Sequence, residues 1–217
     1  MKTTLQTLAL ASVFALASCG EEQAPEAVTA PAEPIKKDSV TTAPKLDTFT
    51  VQTDLSSVNW MGSSPVKGHK GMLKLSQGWL GFNAGKIAQG AFTIDMKSIT
   101  NSDLKDKGNN KKLVDHLSGK DFFKTDSFPT AEFILTSATD STLTGNLTIK
   151  GIANSVTFPY KVFPAGNDST FIAHSKFSID RSKWGIEYGG KSVAGIKPND
   201  IISDMIELSI SLNAKKK

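Results

Sequence analysis

The stretch KKLVDHLSGKDFFKTDSFPTAEFIL, from Lys111 to Leu135, departs from the pattern of the chain around it. Leu113, Val114 and Leu117 recur at helical spacing. An apolar knot follows at Asp121-Phe122-Phe123, and Phe128-Pro129-Thr130 then returns the chain to a strand. An irregular, apolar-rich segment set among strands either plugs a core or frames an opening.

Outside that stretch the hydrophobic period is two from Leu46 onward. Val58 and Trp60 alternate with Asn59 and Met61, and Leu73 and Leu75 flank Lys74. Phe92, Ile94 and Met96 alternate with Thr93, Asp95 and Lys97. The same parity holds for Ala131, Phe133 and Leu135, for Leu143, Leu147 and Ile149, and for Val156, Phe158, Tyr160 and Val162. It returns in Phe171, Phe177 and Ile179, and in Ile206, Leu208, Ile210 and Leu212. Each run reads as an antiparallel strand buried on one face. About eight such strands, separated by turn residues such as Lys150-Gly151 and Gly189-Gly190, suit an all-β, up-and-down, eight-stranded β-barrel, whose closure removes exposed edges. Pro159 has no N–H and falls inside a strand, so it marks a rim, a bulge or a weakly paired edge. A barrel of this size either fills with side chains or holds one slender ligand.

The chain has 217 residues and a net charge of +4. Its lysines are dispersed among acids, its sole arginine is Arg181, and it lacks the clustered arginine and aromatic residues of nucleic-acid sites. The single cysteine, Cys19, excludes an intramolecular disulfide and a cysteine-rich metal site.

Cys19 has a different role. Met1-Lys2 opens a short positive region, Leu5 to Leu16 is apolar but too short to span a bilayer, and Leu16-Ala17-Ser18-Cys19-Gly20 closes it. This looks like a bacterial lipoprotein signal, residues 1–18, with lipid attached at Cys19; two or three acyl chains anchor stably where one is marginal. Residues 19–45 contain four of the nine prolines and no aromatic residue. Such a composition is expected to stay disordered, as a tether reaching on the order of 50–70 Å. Residues 46–217 then form the folded domain. The expected location is the bacterial cell envelope, on the periplasmic side or at the cell surface.

Several segments, in order, resemble the YceI family of bacterial periplasmic proteins. They are Val58-Asn59-Trp60 with Gly68-His69-Lys70-Gly71; Asp115-His116-Leu117-Ser118 with Asp121-Phe122-Phe123 and Phe128-Pro129-Thr130-Ala131-Glu132-Phe133; Leu143 to Gly151, LTGNLTIKG; and Phe177 to Ile186, FSIDRSKWGI. The resemblance implies a lipocalin-like antiparallel barrel whose lumen holds a long isoprenoid, such as a polyprenyl chain or a quinone tail. It brings no catalytic residues, so no enzymatic activity is expected. The chain departs from the periplasmic members in its lipobox and tether, and in a polar insertion from Asn101 to Lys112 that bears on the barrel mouth.

Inward parity together with this resemblance nominates the ligand lining: Trp60, Leu73, Phe92, Ile94, Phe122 and Phe123, then Phe133, Leu147, Phe158, Phe171, Phe177 and Leu208. Burial of apolar surface, at about 25 cal/mol per Å², is enough to bind such a ligand without a catalytic group. His116 either braces the irregular loop through backbone carbonyls or meets a head group. Arg181, beside Trp184, either contacts a head group or locks the barrel end. No cofactor or metal is expected, the three histidines being scattered. A second reading keeps the barrel filled and makes it a structural or interaction module, with Ile134, Phe163 and Ile172 on the outward parity forming a partner patch or allowing a dimer.

Overall fold

The computed structural model describes residues 23–35, 46–165 and 167–217; Cys19, the signal segment and part of the expected tether lie outside them. In chain order come β1 (Val28–Pro31), β2 (Asp47–Val51), β3 (Ser57–Ser63), β4 (Gly68–Asn83), β5 (Lys86–Asn101) and α1 (Lys107–Ser118). After the helix come β6 (Thr130–Ala138), β7 (Thr142–Ile149), β8 (Ile152–Pro159), β9 (Lys161–Ala165), β10 (Asn167–Asp180) and β11 (Met205–Lys216).

These strands make eight staves. β2 and β3 are one stave interrupted by the turn Thr53–Leu55, since both pair with β4 on one side and β11 on the other. β8 and β9 are one stave broken at Pro159. β8 pairs with β7, whereas β9 leaves β7 and pairs with β10. The proline expected to mark a weak point is where the stave changes partner; its position has no donor facing β7, whose ladder runs on to the Tyr160 N–H donating to Ser141 O and ends there. Every pairing between named strands is antiparallel, and the long hairpin β4–β5 turns at Ala84-Gly85, both with positive φ.

Below the break at Pro159, β8 and β10 are not paired with each other, and the chain's N-terminal segment occupies that seam. The Ala27 N–H donates to Ser178 O (2.8 Å), the Ser178 N–H donates to Pro25 O (2.9 Å), and β1 then pairs with β8 from Val28↔Thr157 to Pro31↔Asn154. The Asn146 side chain holds Glu33 by both its backbone groups, accepting from N at 2.9 Å and donating to O at 2.6 Å. Residues 23–35 are therefore part of the barrel wall, not of a disordered tether. Composition weighs side chains, whereas this segment is ordered by the main-chain partners that an open strand edge supplies.

One end of the barrel is shut by Phe49, Phe82 and Phe171, packed edge to face with ring centroids 5.0–5.1 Å apart. At the other end lies the segment between β5 and β6. Asp106 caps α1 by accepting from the Asn109 N–H at 2.8 Å. The helix therefore begins inside the polar insertion and runs on through the expected apolar positions. Leu117 is buried, and Leu113 and Val114 pack on the core.

Candidate functional site

The interior is hollow. A cavity of about 370 Å³ lies beneath α1, and a second of about 110 Å³ lies deeper. Val58, Ile94, Leu147 and Leu208 line both, so these four side chains form the waist between the two compartments. The larger volume falls within the roughly 300–1,000 Å³ of small-molecule sites. Its outer end is bordered by the exposed residues Lys67 and Tyr188.

The expected lining divides between them. Trp60, Leu73, Ile94, Phe122, Phe123, Leu147 and Leu208 face the larger compartment. Phe92, Phe133, Phe158 and Phe177 face the smaller, with Phe158 and Phe177 stacked 4.2 Å apart across the seam. Phe171 lines neither, because it belongs to the aromatic triad that shuts the far end. Sequence reasoning missed His69, Tyr188 and Ile202 in the wall. Tyr188 and Ile202 lie in a stretch without period, and His69 was quoted only as part of the family pattern.

The polar groups at the mouth are mostly paired. His69 Nδ1 lies 2.8 Å from Asp103 Oδ2, and Asp103 also accepts from the Lys70 N–H and the Asn101 amide. Burial raises the Asp103 carboxyl, but these hydrogen bonds outweigh it and bring its pKa to about 2. His116 Nε2 stands 3.5 Å from Asp121 Oδ2, with the ring edge-on to Phe122 and Tyr188. It braces the knot to the helix through a carboxylate and aromatic rings, not through backbone carbonyls.

Arg181 is buried and engaged. Nε donates to Ser203 O (3.0 Å), Nη1 to Ile186 O (2.8 Å), and Nη2 to Ile202 O and Asp204 Oδ1 (both 3.3 Å). Burial pushes its guanidinium down from the ordinary value, and Asp204 and Asp180 oppose that shift. Its cationic face lies over Phe122 at 5.8 Å, not over Trp184. These contacts make Arg181 a lock between the turn after β10 and the segment before β11.

The two tryptophans of this wall differ. Trp184 Nε1 donates to Leu147 O at 3.0 Å. Trp60 Nε1 is buried and, among the described residues, has no partner.

The outward residues do not form one patch. Phe163 faces Ile172 across β9 and β10, whereas Ile134 lies on β6 opposite Asn146 of β7.

A closed antiparallel barrel of eight staves, stoppered at one end and hollow beneath a helix at the other, defines the class of lipocalin-like barrels with an apolar lumen. Within that class the chain belongs to the YceI-like domain family, whose model matches residues 48–214. Among curated proteins it is 47% identical over 49 residues to a UPF0312 protein of Staphylococcus aureus strain MRSA252, covering 23% of this chain and 29% of that protein. It is 35% identical over 85 residues to a UPF0312 protein of strain USA300, covering 36% of this chain and 49% of that one. The chain thus spans half or less of the length of these relatives. Among solved structures, BcnA of Burkholderia cenocepacia superposes with a TM-score of 0.60 at 28% identity, over 76% of this chain and 99% of that one. A polyisoprenoid binding domain from Saccharophagus degradans, implicated in plant cell wall breakdown, superposes with a TM-score of 0.56 at 14% identity, over 80% and 100%. The latter likeness is one of fold.

Proposed function

We propose that this protein is a membrane-tethered carrier that holds a long-chain isoprenoid, or a similar amphiphilic lipid, in its lumen by equilibrium binding and without chemistry. The observation that carries this reading is the pair of apolar compartments that share four lining side chains. A filled core would leave no such space at native packing density. A polyisoprenoid binding domain with the same fold supports the choice of ligand class, and the lipobox ending at Cys19 supports the tether.

The seam segment shortens that tether. Between Cys19 and Pro25, the first of the described residues hydrogen-bonded to the barrel, lie only Gly20 to Ala24. At roughly 3.3–3.6 Å per residue they reach about 20 Å, so the barrel stays beside the bilayer.

Native mass spectrometry of the protein released gently from membranes tests the reading. A barrel carrying a lipid mass supports it. A barrel that arrives empty and takes up no added prenyl quinone rejects it.

A further inference from the structure

The lumen opens between two loops, 63–68 and 187–204. The Ser203 N–H donating to Ser63 O joins them, and the Ile202 N–H donating to Gly189 O ties the second loop to itself, both at 2.7 Å. Arg181 braces the second loop from within. On this fixed base three large apolar side chains stand in solvent: Val66, 64% exposed, Tyr188, 46%, and Val193, 39%. Around them lie Lys67, Lys70, Lys191 and Lys197, all exposed, against the exposed acids Glu187 and Asp200. Of the other acids nearby, Asp103 is engaged by His69, Asp121 by His116 and Asp204 by Arg181.

We propose that these two loops form a docking surface for an anionic lipid bilayer, placing the mouth of the lumen against the membrane. This rests on the carrier reading above. An isoprenoid crossing open water exposes its whole apolar chain. A mouth seated on the bilayer lets the chain pass from one apolar phase to the other. The composition of the rim suits a lipid surface. Isolated apolar tips enter the headgroup layer, while lysine stems lie along it and keep their ammonium groups on the phosphates. Each such lysine adds to the attraction toward an anionic leaflet.

The test uses the chain with Cys19→Ser, so that no acyl anchor contributes, and vesicles of phosphatidylglycerol and phosphatidylcholine beside vesicles of phosphatidylcholine alone. Sedimentation is expected to show binding to the anionic vesicles that weakens with salt. Val66→Glu with Val193→Glu, and separately Lys191→Glu with Lys197→Glu, should each weaken it tenfold or more. Neither pair lines the lumen, so both variants should take up decylubiquinone from detergent as the parent does. If the parent takes up the quinone but ignores anionic vesicles, or if both rim variants bind them undiminished, the docking surface is overturned and the carrier reading stands. If vesicle binding follows the rim substitutions while no form takes up the quinone, it is the carrier reading that fails.

Discussion

Trp60 and Trp184 share a cavity wall and a side-chain type, yet their energetics are opposite. A buried donor left unpaired costs about 1–3 kcal/mol, and a satisfied one costs little. Trp60→Phe removes an orphaned N–H, so the gain offsets much of the packing lost and stability should stay within about 1 kcal/mol of the parent. Trp184→Phe removes the hydrogen bond to Leu147 O and opens space at a fully buried site, a loss of about 3 kcal/mol. Urea denaturation of the two variants would show that ordering, and equal losses would contradict it. Nothing in sequence separates these residues, since the partner of Trp184 lies 37 positions away. Asp103 was similarly hidden inside a polar insertion. Its depressed pKa, about 2 against 3.8, contributes on the order of 1–2 kcal/mol with its side chain 24% exposed. A lowered carboxylate stabilises above its unfolded pKa and loses that contribution as pH falls through its folded one. Asp103→Asn should therefore be less stable than the parent at neutral pH. The gap should close as pH falls from about 4 to about 2, read from denaturation midpoints across that range.

At the scale of elements, strand parity was legible because burial on one face imposes a period of two that side chains must obey. The helix was legible from Leu113, Val114 and Leu117, although its start lay earlier, at a cap formed by Asp106. The N-terminal segment was not legible. Val28 and Pro31 are exposed and offer no apolar stripe, so their order comes from β8. Deleting residues 23–35 uncovers the β8 edge, removes the buried Ala27 and leaves the Asn146 amide without Glu33. The expected loss is about 2–4 kcal/mol, combining an uncapped edge with an unsatisfied amide. Hydrogen exchange localises the effect, because amides of β8 should lose protection while those of the β4–β5 hairpin keep theirs. Unchanged β8 protection would show that the segment contributes nothing to the wall.

For the whole molecule, the number of staves was readable but the state of the lumen was not. A filled barrel and a hollow one present the same inward residue types, and only the sum of their volumes against the barrel's circumference distinguishes them. The structure adds a division that parity could not reveal, the waist at Val58, Ile94, Leu147 and Leu208. On the carrier reading, a short prenyl tail would lie above that waist and a longer one would gain by passing it. Each isoprene unit buried below contributes about 3 kcal/mol, more than a hundredfold in affinity. Leu147→Trp fills the waist while leaving its backbone carbonyl available to Trp184. Such a variant should bind a short-tailed quinone nearly as the parent does and lose the parent's preference for longer tails. Titration of a tail-length series reads this directly. A preference that survives the substitution would mean that the chain leaves the barrel by another path and that the deep compartment stays empty.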